Sequence, residues 1–190
     1  MTATNERPAA WTRLDVPEGL CLGTLAAEPG GFRLEASEVV VDRRERFSCR
    51  FTVCTDLAWA TREVRAEVLT EEGARSIELT CGGGQWRVDG RRDPALDGCV
   101  DVDVAATPLT NTLPIRRLGL APGEFRDIGV AWIDVPSLKV HRMKQRYTRL
   151  TQSGGLERYE YRAPGFGAFD LTVDGDGLVI DYEHFARRIR

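Results

Sequence analysis

Apolar and polar residues alternate along most of the chain, and a sustained helical period is hard to find in the sequence. Two neighbouring segments each place every second residue on one apolar face. These residues are Phe47, Cys49, Phe51 and Val53 in the first segment, and Val64, Ala66 and Val68 in the second. A hairpin is the natural connection between them. The pattern therefore predicts a protein that is mainly β.

The same alternation predicts further strands, separated by glycine-rich and proline-rich turns. They fall at residues 77–81, 86–88, 100–104, 128–135, 137–150, 166–173 and 178–182, and residues 185–190 are predicted to end the chain as a short helix or a frayed tail. An antiparallel sheet of about ten or more strands curls or closes, because twist accumulates between strands. We therefore expect an all-β fold with little helix, in which a strongly curved antiparallel sheet forms a β-roll or open barrel.

The length of 190 residues fits one domain that buries a large core without disulfides or metal. Residues 1–10 are polar and contain no apolar region of a secretory signal, so we expect a flexible N-terminus followed by a single domain over 11–187. No window approaches the ~20 apolar residues of a membrane-spanning helix. The five cysteines are odd in number and scattered, which indicates buried small side chains rather than a disulfide framework. These features predict a cytoplasmic protein.

Charge and motifs exclude several functions. The formal net charge of −3 gives no basic surface for nucleic acid. His141 and His184 are the two histidines, and neither lies in a metal-binding pattern. A Gly-x-Ser-x-Gly motif and a phosphate-binding loop are also missing from the sequence. We therefore predict no catalytic residue, no metal and no cofactor.

A long hairpin over residues 137–162 is the best candidate site that the residues alone suggest. If its loop centres on Ser153, Tyr147 lies opposite Tyr159 and Gln145 lies opposite Tyr161, all on one face. Tyrosine rings and an amide suit a sugar, because rings stack on its apolar face while polar groups bond its hydroxyls. Ordinary core packing of the tyrosines is the alternative. The opposite face would be solvated and strongly cationic.

The run from residue 107 to 118 contains two prolines, so neither a helix interior nor a central strand is expected to pass through it. We predict a rigid connection, a well-packed loop that enters a strand or short helix, placed at the rim or across the mouth of the curved sheet. Asn111 and Arg116 within it are candidate ligand contacts. Arg116 and Arg117 could equally pair with Asp101 or Asp103 inside the protein.

Trp59 and Arg62 form a further candidate pair, with Asp56 three residues before the tryptophan. They could supply a second stacking ring and a clamp for an anionic group.

Several stretches resemble a bacterial family described as putative glycolipid-binding, and the resemblance runs from roughly residue 10 to 187. The matching stretches are residues 56–62, 98–103, 107–118, the pair Gln145 and Tyr147 with Pro136 before it, Tyr159 with Tyr161, and residues 177–182. The resemblance implies a strongly curved roll or open barrel and an amphiphilic, glycolipid-like ligand.

The sequence thus leads to a non-enzymatic carrier or sensor that holds a sugar-bearing lipid in the hollow of the sheet. The predicted contacts are Trp59, Arg62, Asn111, Arg116, Gln145, Tyr147, Tyr159 and Tyr161. One alternative is an interaction or structural module that docks a partner protein through the cationic hairpin face. Another is an enzyme acting on a sugar derivative through Asp56, Asp101 or His141, which requires a perturbed carboxylate in a cleft beside them.

Overall fold

A computed structural model describes residues 6–43, 45–105, 107–152 and 154–189. Within these ranges, fifteen strands form one sheet, accompanied by one α-helix and two 3₁₀ turns. The strands are β1 (Glu6–Arg13), β2 (Glu18–Glu28), β3 (Gly31–Val41), β4 (Arg46–Thr55), β5 (Thr61–Thr70), β6 (Gly73–Gly82), β7 (Gln85–Val88), β8 (Arg91–Arg92), β9 (Asp101–Val104), β10 (Phe125–Ile133), β11 (Val140–Arg149), β12 (Glu157–Ala163), β13 (Gly167–Val173), β14 (Val179–Tyr182) and β15 (Ala186–Ile189). The 3₁₀ turns span Pro94–Leu96 and Leu109–Asn111, and helix α1 spans Thr112–Leu118.

The first and last strands meet in the middle of the sheet. The spatial order is β8-β7-β6-β5-β4-β3-β2-β1-β15-β14-β13-β12-β11-β10-β9. Neighbouring strands are antiparallel, apart from the parallel pair of β9 and β10. The sheet then curves until β9 lies against β5, where the Thr61 amide donates to the Val100 carbonyl at 3.0 Å. The prediction of a curved, open all-β roll is confirmed.

The strand boundaries agree with the alternation in the centre of the chain and differ at both ends. Phe51 pairs with Ala66 in the β4–β5 hairpin, as the pattern predicts. Strand β1 begins at Glu6, earlier than the domain start expected at residue 11, and residues 1–5 lie outside the described ranges. The prediction of a helical or frayed tail is wrong, because β15 pairs with β1 and β14 and buries Ala186. Arg190 lies outside the description.

The β11–β12 hairpin has the predicted faces but a different register. Tyr147 pairs with Tyr161 and Arg149 pairs with Tyr159, two residues away from the expected pairing. The expected loop centre, Ser153, is not among the described residues. A shift by two keeps every side chain on its face, because side chains alternate with a period of two. Tyr147, Tyr159 and Tyr161 are accordingly all buried.

Two apolar clusters fill the roll, and the segment after β9 joins them. Leu109 and Leu113 belong to the larger cluster, which is built mainly on β1–β7, β9 and β10. Ile115 belongs to the smaller cluster, which contains the tyrosines of β11, β12 and β14. All three side chains are nearly or fully buried. Residues 107–115 therefore occupy the interior of the roll, whereas Arg116 is exposed.

This position corrects the expectation that the segment lies at the rim or across the mouth. The 3₁₀ turn and α1 form a short helical plug in place of an irregular loop. Pro114 is compatible with it because Pro114 is the third residue of α1, where a backbone N–H has no acceptor within the helix. Gly119 ends the helix in the left-handed conformation, with φ of 53°.

Candidate ligand-binding cleft

The two ends of the roll differ, and β13 connects them. Gly175 lies two residues beyond the end of β13, at one end of the roll, whereas Phe166 immediately precedes β13 and lies at the other end. Arg116 donates to the Gly175 carbonyl at 3.2 Å and stacks over the Trp59 ring at 5.3 Å. We refer to the end with Trp59 and Gly175 as the Trp59 end, and to the end with Phe166 as the cleft end.

The Trp59 end is closed by packing. Trp59 stacks on Phe32 with ring centroids 3.8 Å apart and is 8% exposed. Its φ of 65° belongs to a turn that Asp56 stabilises by accepting from the Ala58 and Ala60 amides at 2.9 Å. Arg62 pairs with the same Asp56 carboxylate. Trp59 and Arg62 are therefore engaged by their own neighbours.

Polar side chains of the helical plug hydrogen-bond to the inner face of the sheet. Thr110 Oγ1 donates to Asp103 Oδ1 at 2.8 Å, and Asn111 Nδ2 donates to the Tyr147 hydroxyl at 2.8 Å. Gln145 Nε2 donates to Asp103 Oδ2 at 2.5 Å. Asp103 is thus the acceptor at the centre of a buried network that joins β9, the 3₁₀ turn and β11.

Burial raises the pKa of the Asp103 carboxyl above its ordinary value, although the bonds from Gln145 and Thr110 oppose the rise. Burial also raises the pKa of the hydroxyls of Tyr147, Tyr161 and Tyr182, and the nearby Asp103 charge adds to each rise. The tyrosines therefore remain neutral and can donate and accept hydrogen bonds.

Asp101 faces the same side as Asp103 but has a separate partner. Arg117 donates to both of its oxygens, at 2.8 and 2.6 Å. The prediction that an arginine of the segment pairs with one of these aspartates is confirmed for Arg117. Asp101 and Asp103 point away from Val102 and Val104, which pack in the larger cluster.

A cleft of about 440 Å³ opens at the cleft end beside Asp103. Its walls are aromatic. The aromatic residues are Trp132, Tyr161, Phe166, Phe169, Tyr182 and Phe185. They contact one another, since the Trp132 and Phe166 rings are 5.6 Å apart and the Tyr182 and Phe185 rings are 4.8 Å apart. Phe166, at the turn between β12 and β13, is 55% exposed.

The polar groups of the cleft lie at two depths. Asp103 and Asn111 are buried at the inner wall, whereas Asp15 and His184 are exposed at the opening and Asp134 is half-buried. Arg13 also lines the cleft and stacks over the Phe185 ring at 4.3 Å. The combination of aromatic rings with a few placed polar atoms is typical of a site for a small molecule.

The structure brings together half of the residues that the sequence suggests. Asn111 and Tyr161 line the cleft, and Tyr147 and Gln145 lie directly behind it through their bonds to Asn111 and Asp103. The other four do not line it. The contacts described above, at and near the Trp59 end, engage Trp59, Arg62 and Arg116. The Tyr159 hydroxyl donates to Glu157 at 3.1 Å.

The sequence reasoning missed most of the residues that line the cleft. Among them are the aromatic residues Trp132, Phe166, Phe169, Tyr182 and Phe185, and the charged residues Arg13, Asp15, Asp103 and Asp134. Alternation along β13 could have indicated Phe169, which pairs with Tyr161. Trp132 meets Asp103 through the parallel pairing of β9 with β10, which no local pattern indicates.

The structure also shows the residues on which the two alternative functions, partner docking and catalysis, would depend. On the outer face of the hairpin, Arg146 pairs with Asp127, Arg158 with Asp170 and Arg162 with Glu160, so much of its positive charge is neutralised. Asp56, Asp101 and His141 do not line the cleft. The perturbed carboxylate in the cleft is Asp103.

Over the part of the chain that the structure describes, no group of three or more histidine, cysteine, aspartate or glutamate side chains could hold a metal ion. In the same ranges, no helix has both the length and the apolar character needed to cross a bilayer.

The curved sheet, the helical plug and the aromatic cleft define an all-β protein with an internal ligand-sized site. A family model described as putative glycolipid-binding matches residues 8–188, so the chain belongs to that family. A crystal structure of a DUF1089 family protein from Pseudomonas aeruginosa is similar, with a TM-score of 0.78 and 36% sequence identity over 89% of this chain and 92% of that one. Among curated proteins, no match is found.

Proposed function

We propose that the protein is a non-enzymatic, cytoplasmic binder of a glycolipid or a similar amphiphile, and that the aromatic cleft is its binding site. The observation that carries the proposal is the set of aromatic walls around two buried polar side chains, Asp103 and Asn111. The family description gives the ligand class. The five free cysteines are in keeping with a reducing compartment.

The sugar is the part of the ligand that enters. Its apolar ring face stacks on the aromatic side chains, and its hydroxyls bond to Asp103 and Asn111. The Asp103 carboxyl group suits this role, since each of its oxygens accepts one hydrogen bond from the protein and retains capacity for another. The alkyl chain leaves past Phe166, whose exposed ring lies beside the opening.

This orientation differs from the one expected from the sequence, in which apolar side chains of a hollow sheet surround the acyl chains. The helical plug occupies that volume, as the complete burial of Leu109 and Leu113 demonstrates. The aromatic cleft lies beside the plug, which contributes Thr107 and Asn111 to its lining. It is large enough for a headgroup and lies within the range of small-molecule sites.

Calorimetric titration of the delipidated protein with octyl β-D-glucoside, below its micelle concentration, tests the proposal. We expect saturable binding to the wild type and at least about tenfold weaker binding to Ala105→Leu, because Ala105 lines the cleft and the larger side chain fills it. Ala168→Leu is the matched control, since Ala168 is exposed and outside the cleft. Absence of binding to the wild type, or equal binding to Ala105→Leu, would contradict the proposal.

A further inference from the structure

We propose that the cleft selects an uncharged, hydroxyl-rich headgroup and rejects an anionic one, an inference that rests on the proposed function. The observation that carries it is the distribution of charged side chains around the cleft. Asp15, Asp103 and Asp134 contribute three carboxyl groups. Among the described residues, Arg13 is the one arginine or lysine in the lining.

The charge of Arg13 is already matched by the Asp15 carboxylate, and Glu38 adds a second acceptor. Its guanidinium donates to both oxygens of Asp15, at 2.8 and 2.7 Å, and to Glu38 Oε1 at 2.5 Å. Glu38 is 2% exposed and holds Arg13 from the interior of the sheet. An arginine that already forms a two-bond ion pair with a carboxylate gives little net attraction to an incoming anion.

The carboxyl groups of Asp103 and Asp134 have no arginine or lysine partner among the described ion pairs. Asp103 accepts from the neutral side chains of Thr110 and Gln145, and Asp134 Oδ2 accepts from Ser137 Oγ at 2.5 Å. Asp103 is buried at the inner wall of the cleft, and Asp134 is half-buried in the same lining. An anionic headgroup would therefore meet like charge at one depth or both.

The protonation of Asp103 does not reverse this preference. Burial favours its neutral form, which reduces the repulsion at the inner wall. Asp134 still lines the cleft, and Arg13 remains engaged by Asp15 and Glu38. His184 at the opening is exposed, and its Nε2 lies 3.5 Å from Glu183 Oε1.

The hydroxyl groups of a sugar carry no charge, so the carboxyl groups of the cleft do not repel them. Carboxylate and amide oxygens accept hydrogen bonds from them, and desolvation of a hydroxyl costs far less than desolvation of an anion. Like charges placed together at a desolvated interface cost several kcal/mol, whereas solvent at an open cleft reduces that cost. We therefore expect a discrimination of at least about tenfold, which corresponds to about 1.4 kcal/mol.

The experiment compares octyl β-D-glucoside with octyl β-D-glucuronide, which differs by a carboxylate in place of one hydroxymethyl group. Calorimetry at pH 7 and low ionic strength should give a dissociation constant at least about tenfold higher for the glucuronide. Equal or tighter binding of the glucuronide would overturn the selectivity while leaving the proposed function intact. If neither compound binds, the proposed function itself fails, and the selectivity fails with it.

Two variants locate the origin of the selectivity. Asp134→Asn keeps the side-chain size and the ability to accept from Ser137, so the glucuronide should gain at least about threefold relative to the glucoside. Asp127→Asn is the control, because Asp127 is exposed, pairs with Arg146 and lies outside the cleft. An unchanged ratio in Asp134→Asn, or the same shift in both variants, would contradict the assignment of the selectivity to the cleft carboxylates.

Discussion

Glu38 places a carboxyl group on the inner face of β3, directly opposite Cys21 on β2 and Cys49 on β4. Its Oε1 accepts from Arg13, whereas its Oε2 is buried without a partner among the described atoms. Burial raises the pKa of Glu38 to about 7, although the Arg13 charge opposes the rise. The folded protein therefore favours the protonated form of this group.

The raised pKa predicts a stability that falls as the pH rises. Between pH 4.5 and 7 the folded state retains a proton that the unfolded state releases, so the free energy of unfolding decreases through this window. A shift of this size corresponds to about 3 kcal/mol in total. Glu38→Gln should remove that part of the slope, as urea unfolding at several pH values would measure.

Glu35→Gln is the matched control for this measurement. Glu35 lies on the same strand, is about one-third exposed and pairs with Arg33 on the outer face. Its replacement should leave the slope of stability against pH as it is in the wild type. A wild-type slope that persists in Glu38→Gln would assign the titration to another group.

At the scale of single elements, helix α1 presents two adjacent arginines with different roles. Arg117 forms a bidentate pair with the fully buried Asp101, whereas the exposed Arg116 contacts the Trp59 ring and a carbonyl. Arg117→Ala should lower the free energy of unfolding by about 3 kcal/mol, because it leaves a buried carboxylate unpaired. Arg116→Ala should cost about 1 kcal/mol or less, since its contacts are exposed.

Chemical denaturation of both variants measures this difference. The double variant Asp101→Asn with Arg117→Ala should recover part of the loss, because the unpaired charge is then removed. If Arg116→Ala destabilises the protein as much as Arg117→Ala does, the Trp59 end contributes more to stability than its contacts indicate.

The same elements explain what the sequence could and could not predict. Alternation placed Gln145, Tyr147, Tyr159 and Tyr161 on one face, since that face depends only on a period of two. The observed register of the β11–β12 hairpin differs by two residues from the predicted one. The register depends on the turn that contains Gly154 and Gly155, both with positive φ. The burial of the segment 107–118 depends on both clusters at once, which no local pattern specifies.

At the scale of the whole molecule, the cleft is formed by residues distant in sequence. Asp103 and Trp132 are brought together by the parallel β9–β10 pair, and Phe185 arrives with the strand that pairs with β1. These pairings join residues that lie tens to more than a hundred positions apart. The strand content and curvature therefore follow from periodicity, whereas the position of the site follows from long-range order that the sequence pattern alone does not encode.

The central claim is that the ligand occupies the cleft end and not the Trp59 end. Nuclear Overhauser measurements on the protein saturated with octyl β-D-glucoside test it directly, because Trp132 lines the cleft and Trp59 lies at the opposite end. We predict transfer from ligand protons to the Trp132 ring and none to the Trp59 ring. Transfer to Trp59, with Trp132 unaffected, would contradict the account.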